Sequence, residues 1–219
     1  MKHFTLTICA AAVLLFSCNN DSEKKDAAAP DSTKATEQPV AKEATPAAMP
    51  DSAAMMKAWQ EFATPGTMHK WMEKTNGTWE GEVTQWMDPK APPSKSKATN
   101  MQISVMGGRY VVGKYIGTMM GQPFEGMNIM GYDNGKKMFV STWMDNMGTG
   151  IVHMSGTYDE ATKMLNLKGH QTDPVTGKDS DMREEMTMID NDSYSMAMYG
   201  TGMDGKEMKF MEAVFKKKK

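Results

Sequence analysis

From Gly77 to the C-terminus the sequence is cut by turn chemistry about once every dozen residues, and that spacing limits what the chain can become. Gly107-Gly108, Met120-Gly121, Asp133-Asn134-Gly135, Asp145-Asn146, Asp159-Glu160, Asp173-Pro174, Asp190-Asn191 and the stretch 202–205 each carry Gly, Asp, Asn or Pro, the residues that admit tight backbone reversals. Between them lie segments rich in Val, Ile, Thr, Tyr, Trp and Met. They predict strands over 78–87, 98–106, 109–119, 123–132, 136–144, 149–157, 162–170, 180–189, 193–200 and 206–216. Connections of two to five residues leave only antiparallel neighbours, because a parallel crossover needs about a dozen residues or more. Ten such strands make an up-and-down meander, and closing it removes both unpaired edges. The predicted fold class is therefore all-β, an antiparallel up-and-down β-barrel of about ten strands. Two short N-terminal helices are expected ahead of it, over 53–62 and 67–74, the second with Met68, Trp71 and Met72 on one face.

Whether such a barrel can be packed is a question of composition. Leu, Ile, Val and Phe number only 28 of 219 residues, a level at which disorder is normally suspected. Methionine fills the gap. There are 26 of them, and beyond residue 18 the only leucines are Leu165 and Leu167. Met182, Glu184, Met186 and Met188 alternate with Arg183, Glu185 and Thr187, and Tyr194, Met196 and Met198 alternate with Ser193 and Ser195, so methionine occupies the apolar face of strands. Glu184 breaks that face. The net charge of −2 excludes a strongly electrostatic partner such as nucleic acid, and the scarcity of long apolar runs excludes a polytopic helical membrane protein.

The N-terminus reads as a secretion signal: Lys2, then an apolar run over 4–16, too short to span a bilayer stably. The run ends in Leu15-Phe16-Ser17-Cys18, which resembles the bacterial lipoprotein cleavage box. That resemblance implies removal of 1–17, a diacylglycerol on the Cys18 thiol and acylation of its amine, so that Cys18 anchors the chain to a lipid bilayer. Several acyl chains hold firmly where one is marginal. Asn19 rather than Asp after the cysteine points, by the same resemblance, to the outer membrane. Cys9 lies in the signal, so no disulfide forms within a mature monomer. Residues 18–52 are mostly Ala, Pro, Lys, Asp, Glu, Ser and Thr without an aromatic, a composition that suits an extended tether. The barrel domain with its helical segment is then 53–219.

Gly77-Thr78-Trp79-Glu80-Gly81-Glu82, placed just after a short helix, resembles the Gly-x-Trp opening of lipocalins, fatty-acid-binding proteins and nitrobindins, whose Trp packs at the closed end of a calycin-like barrel. A longer ordered series is more specific. His69-Lys70-Trp71, the Gly77-to-Gly81 opening, Gly107-Gly108-Arg109-Tyr110, Gly121-Gln122-Pro123-Phe124-Glu125-Gly126, Gly131-Tyr132-Asp133, Trp143-Met144-Asp145 and Gly156-Thr157-Tyr158-Asp159 together resemble the bacterial domain-of-unknown-function family 1579, over about 65–215. The resemblance implies no activity and supplies no catalytic residues.

Residues that could carry function are few. Barrels of this size can enclose a small ligand, and the aromatics Trp79, Tyr115, Phe124, Tyr132 and Trp143 are candidate walls of such a pocket. Asp145, two positions after Trp143, would share its face, although an Asp that starts a turn is the plainer account. Met186 and Met198 are candidate lining residues, since unbranched Met adapts to varied shapes. His153 could face inward, and likeness to nitrobindins raises it as a haem ligand; a structural histidine is the plainer reading. No metal site, catalytic residue or cofactor is expected. His69, His153 and His170 lack ligand spacing, Gly-x-Ser-x-Gly does not occur, and Asp190-Asn191-Asp192 lacks the rest of a calcium loop. The sequence thus supports a binding module for a small hydrophobic or amphipathic molecule. Its rivals are a filled structural or interaction barrel, a Met-based copper or redox-buffer protein drawing on Met186-Thr187-Met188 and Met196-Ala197-Met198, and an enzyme acting at the barrel mouth. The lysines 216–219 read as a solvated tail.

Overall fold

The computed structural model describes residues 51–88, 90–202 and 204–219; the predicted signal peptide, Cys18 and nearly all of the predicted tether lie outside the described residues. Two helices, α1 (Ser52–Ala63) and α2 (Thr67–Glu73), precede ten strands. These are β1 (Gly77–Gln85), β2 (Ser94–Val105), β3 (Tyr110–Met119), β4 (Gln122–Asp133), β5 (Met138–Asp145), β6 (Val152–Asp159), β7 (Met164–Thr172), β8 (Asp179–Met188), β9 (Ser193–Thr201) and β10 (Glu207–Lys217). Each strand pairs antiparallel with its sequence neighbours, and β1 also pairs with β10, so the sheet closes into a barrel. The predicted fold class is correct in strand number, direction and closure.

Among the strand starts, β2 lies furthest from its prediction: expected at 98, it begins at Ser94. Ser94-Lys95-Ser96-Lys97 carries no apolar residue, so periodicity is silent there. Pairing supplies the order instead, with Ser94 opposite Gln85 and the Lys95 ammonium 2.6 Å from the Glu82 carboxylate. The turns follow their chemistry. Met120 and Gly121 both have positive φ, 50° and 76°, which makes the two-residue β3–β4 hairpin a primed turn matched to the twist of the strands. Asp133, Asp159 and Asp173 each accept two backbone N–H groups from the residues that follow them.

One end of the barrel is corked. Trp71 and Met72 of α2 are buried in it, with the Trp71 ring 5.3 Å from Phe139 and 5.0 Å from Tyr158. His69 lies edge-on to Tyr132 at 5.8 Å; burial lowers its pKa, and its Nδ1 accepts the Gly66 N–H at 3.0 Å. Trp79 is fully buried and donates from Nε1 to the Thr75 carbonyl at 2.7 Å. Gly77 has φ 129°, open in practice only to glycine, and the Lys217 side chain fills the space a Cβ would need. Helix α1 packs differently. Its apolar Met56, Trp59 and Phe62 are exposed, and its C-terminal carbonyls are held by Asn134 Nδ2 and Arg109 Nη2. No described helix is long and apolar enough to cross a membrane.

Candidate functional site

Strand register decides which side chains enter the barrel. On β8 and β9, Met182 lies opposite Gly200, Glu184 opposite Met198 and Met186 opposite Met196, and Met182 and Met186 are buried, so this parity is the inward one. The methionine alternation read from the sequence is therefore the inner face. Met198 in turn lies opposite Met211 of β10. Across the lumen the wall changes character: Asn100 lies opposite Tyr115, Tyr115 opposite Gly126, and Asn128 opposite Gly113 and Trp143. One wall is thioether and the other amide and aromatic.

The aromatic wall is built by close approach. An added Cβ on Gly126 would lie 2.4 Å from the Trp143 ring, so only glycine lets the indole lie against β4. Trp143 stacks near Phe124 at 6.2 Å and meets Tyr115 edge-on at 5.1 Å. Its Nε1 donates to Asp145 Oδ2 at 2.7 Å, while Asp145 Oδ1 accepts the Met147 N–H at 2.9 Å. Asp145 thus both starts the turn and orients the indole. Phe124, Trp143 and Asp145 lie near the uncorked ends of β4 and β5, the mouth of the barrel.

Between mouth and cork lies a polar layer. The Asn100 side chain is fully buried and its Nδ2 donates to Tyr194 Oη at 2.7 Å, but its Oδ1 has no partner among the described residues; neither has the buried Oδ1 of Asn128. Leaving such an acceptor unmet costs about 1–3 kcal/mol. Glu184 enters from the methionine wall. Burial pushes its carboxyl pKa up to about 7, and it lies close enough to Tyr115 and Tyr194 to add to the elevation that burial gives both phenols. Protein encloses Glu184 and Tyr115, yet each keeps part of its surface accessible.

The structure brings together Tyr115, Phe124, Trp143 and Asp145 on one wall, and Met186 and Met198 line the opposite one. Trp79 and Tyr132 belong to the corked end, where they pack against Tyr194, His69 and Phe139. His153 must be corrected. Its side chain is exposed on the outer face, opposite Thr142 and His170, because β6 begins at Val152 and sends Val152 and Met154 inward. A lumenal ligand role for it is excluded. Asn100, Asn128 and Glu184 were absent from the predicted pocket, although Glu184 was visible as the one acid on an inward methionine face. Among the described residues no three His, Cys, Asp or Glu side chains gather to hold a metal ion. Two grooves lie outside the lumen: one of about 390 Å³ that includes Glu82, Lys95, Glu185 and Val214, and one of about 510 Å³ between α1 and the β4–β5 hairpin.

These features define a closed antiparallel barrel with a polar layer set between methionine and aromatic walls. The chain belongs to the family described as Protein of unknown function (DUF1579), whose model matches residues 64–217, from just ahead of α2 through β10. No curated protein gives a significant match. Among solved structures, that of Rv2717c from M. tuberculosis is similar over 71% of this chain and 100% of its own, at 14% identity and TM-score 0.55. The S-type phycobiliprotein lyase CPES from Guillardia theta is similar over 70% of this chain and 94% of its own, at 8% identity and TM-score 0.49. The first of these supports the barrel fold.

Proposed function

We propose that this protein is a binding module whose lumen takes one small amphipathic molecule, and that lipid on Cys18 anchors it in the cell envelope, at the outer membrane. The observation that carries the lumenal half is the pair of buried, unpartnered carbonyl oxygens of Asn100 and Asn128 on the inward face that also carries Glu184. A core selected only for stability would replace such groups with apolar ones. A ligand that donates to them offsets the cost, while its apolar part meets methionines that can repack around varied shapes. The anchor rests on the Leu15-Phe16-Ser17-Cys18 sequence and on the aromatic-free stretch that follows it.

Native mass spectrometry of the protein extracted from its own membrane in mild detergent reads both halves. The expected species is a chain beginning at Cys18 that carries covalent acyl mass and a further small molecule released on gentle activation. Absence of acyl mass overturns the anchor, and absence of any releasable adduct overturns the lumenal site.

A further inference from the structure

The charge of the lumen says which molecules it would accept. By strand register, the inward-facing charged side chains among the described residues are Asp145, Glu184 and Lys217. Lys217 is at the corked end, its ammonium 5.2 Å from the centre of the Trp79 ring. The polar layer and the mouth therefore hold two acids and no cation. The lysines and arginine of β2, β3, β7 and β8, and Lys209 of β10, sit at the alternate, outward positions, where Lys95, Lys114, Arg183 and Lys209 pair with Glu82, Glu125, Glu207 and Glu212. The deepest unmet groups, Asn100 Oδ1 and Asn128 Oδ1, are acceptors.

We infer, resting on the binding reading above, that the lumen selects amphiphiles whose head group donates hydrogen bonds and is neutral or cationic, a primary amine above all, and rejects carboxylates of the same length. In this layer an ammonium meets the charge of the Glu184 carboxylate with no cation competing for it; a carboxylate there meets an acid and has no cation to receive it. The charge pattern is independent of how the two amides are turned. The tail must run toward the mouth, because Trp71, Trp79, Phe139 and Phe215 fill the other end. From Asn128 to the start of β4 at Gln122 the strand covers roughly 20 Å at about 3.3 Å per residue, less along the barrel axis because strands tilt. A ten-carbon chain suits that length and would lie against Phe124 and Trp143.

The test is displacement of Nile red from the full-length protein at pH 7.5 by decylamine, decanol and decanoate, each below its aggregation threshold. The amine is expected to displace at least about tenfold better than the carboxylate, with the alcohol between them. In Glu184→Gln the advantage of amine over alcohol should shrink, because the amide has no charge to meet the ammonium. Decanoate displacing as well as decylamine, or selectivity untouched by Glu184→Gln, overturns the inference and leaves the binding reading standing. Failure of Nile red and all three compounds to bind removes that reading, and the selectivity with it.

Discussion

Glu184→Gln is expected to stabilise the protein by about 3 kcal/mol at pH 8, and to do almost nothing at pH 4. The wild-type carboxyl titrates near 7 rather than at the ordinary 4.5, because burial disfavours its charged form. Between those two pH values the native state keeps a proton that the unfolded chain has released. Stability therefore falls as pH rises through this window, by about 1.4 kcal/mol per unit from this group, and levels off above pH 7. Gln keeps the shape and cannot ionise, so the variant lacks that slope. For a domain of this size the gain corresponds to roughly 6–12 °C in thermal midpoint at pH 8. Parallel melts of both proteins from pH 4 to pH 8 measure it. Curves that stay parallel across the range would show that Glu184 is not held in a desolvated layer.

Trp79→Ala has the opposite sign and a larger effect. The indole is fully buried, lies 5.0 Å from the Tyr194 ring and satisfies the Thr75 carbonyl at 2.7 Å. Truncation removes a ring worth about 3–5 kcal/mol in a core and also leaves that carbonyl, in a buried residue, without its donor. A loss of about 5 kcal/mol is comparable with the whole stability of many domains. Trp79→Phe keeps the contact with Tyr194 and loses the hydrogen bond, so it should cost about 2 kcal/mol. Urea denaturation of the two variants separates packing from hydrogen bonding. Equal losses would mean that the cork depends on the N–H alone.

The architecture was legible because hairpin spacing is a local signal: Asp133-Asn134-Gly135 and Asp159-Glu160 fold back whatever surrounds them. The parity of β8 and β9 was legible for the same reason, since Met182, Met186, Tyr194 and Met198 repeat with period two. The site was less so. His153 was given the wrong face by taking Ile151 as part of its strand, whereas Ile151 precedes β6 and is exposed. A one-residue change of parity reverses every side chain. Asn100 and Asn128 sit among Ala98, Thr99, Met127 and Ile129, and nothing local distinguishes a buried amide from one on the outer face. Their parity follows only from pairing with Tyr115 and Trp143, a long-range fact. Glu184 was the partial exception, an acid on a recognisable inward face, midway along β8.

Nile red fluorescence with wild type and Met198→Trp tests whether the lumen is the binding site. Met198 faces the lumen opposite Glu184, so a tryptophan there fills the space the ligand needs, at a cost of about 1–3 kcal/mol in stability. Ser141→Trp, from inward-facing Ser141 between Met130 and Met154, repeats the test from another strand. Saturable enhancement by wild type and its loss in both folded variants is the predicted result. Undiminished enhancement in folded Met198→Trp and Ser141→Trp would place the dye outside the lumen and rule the lumen out as the binding site.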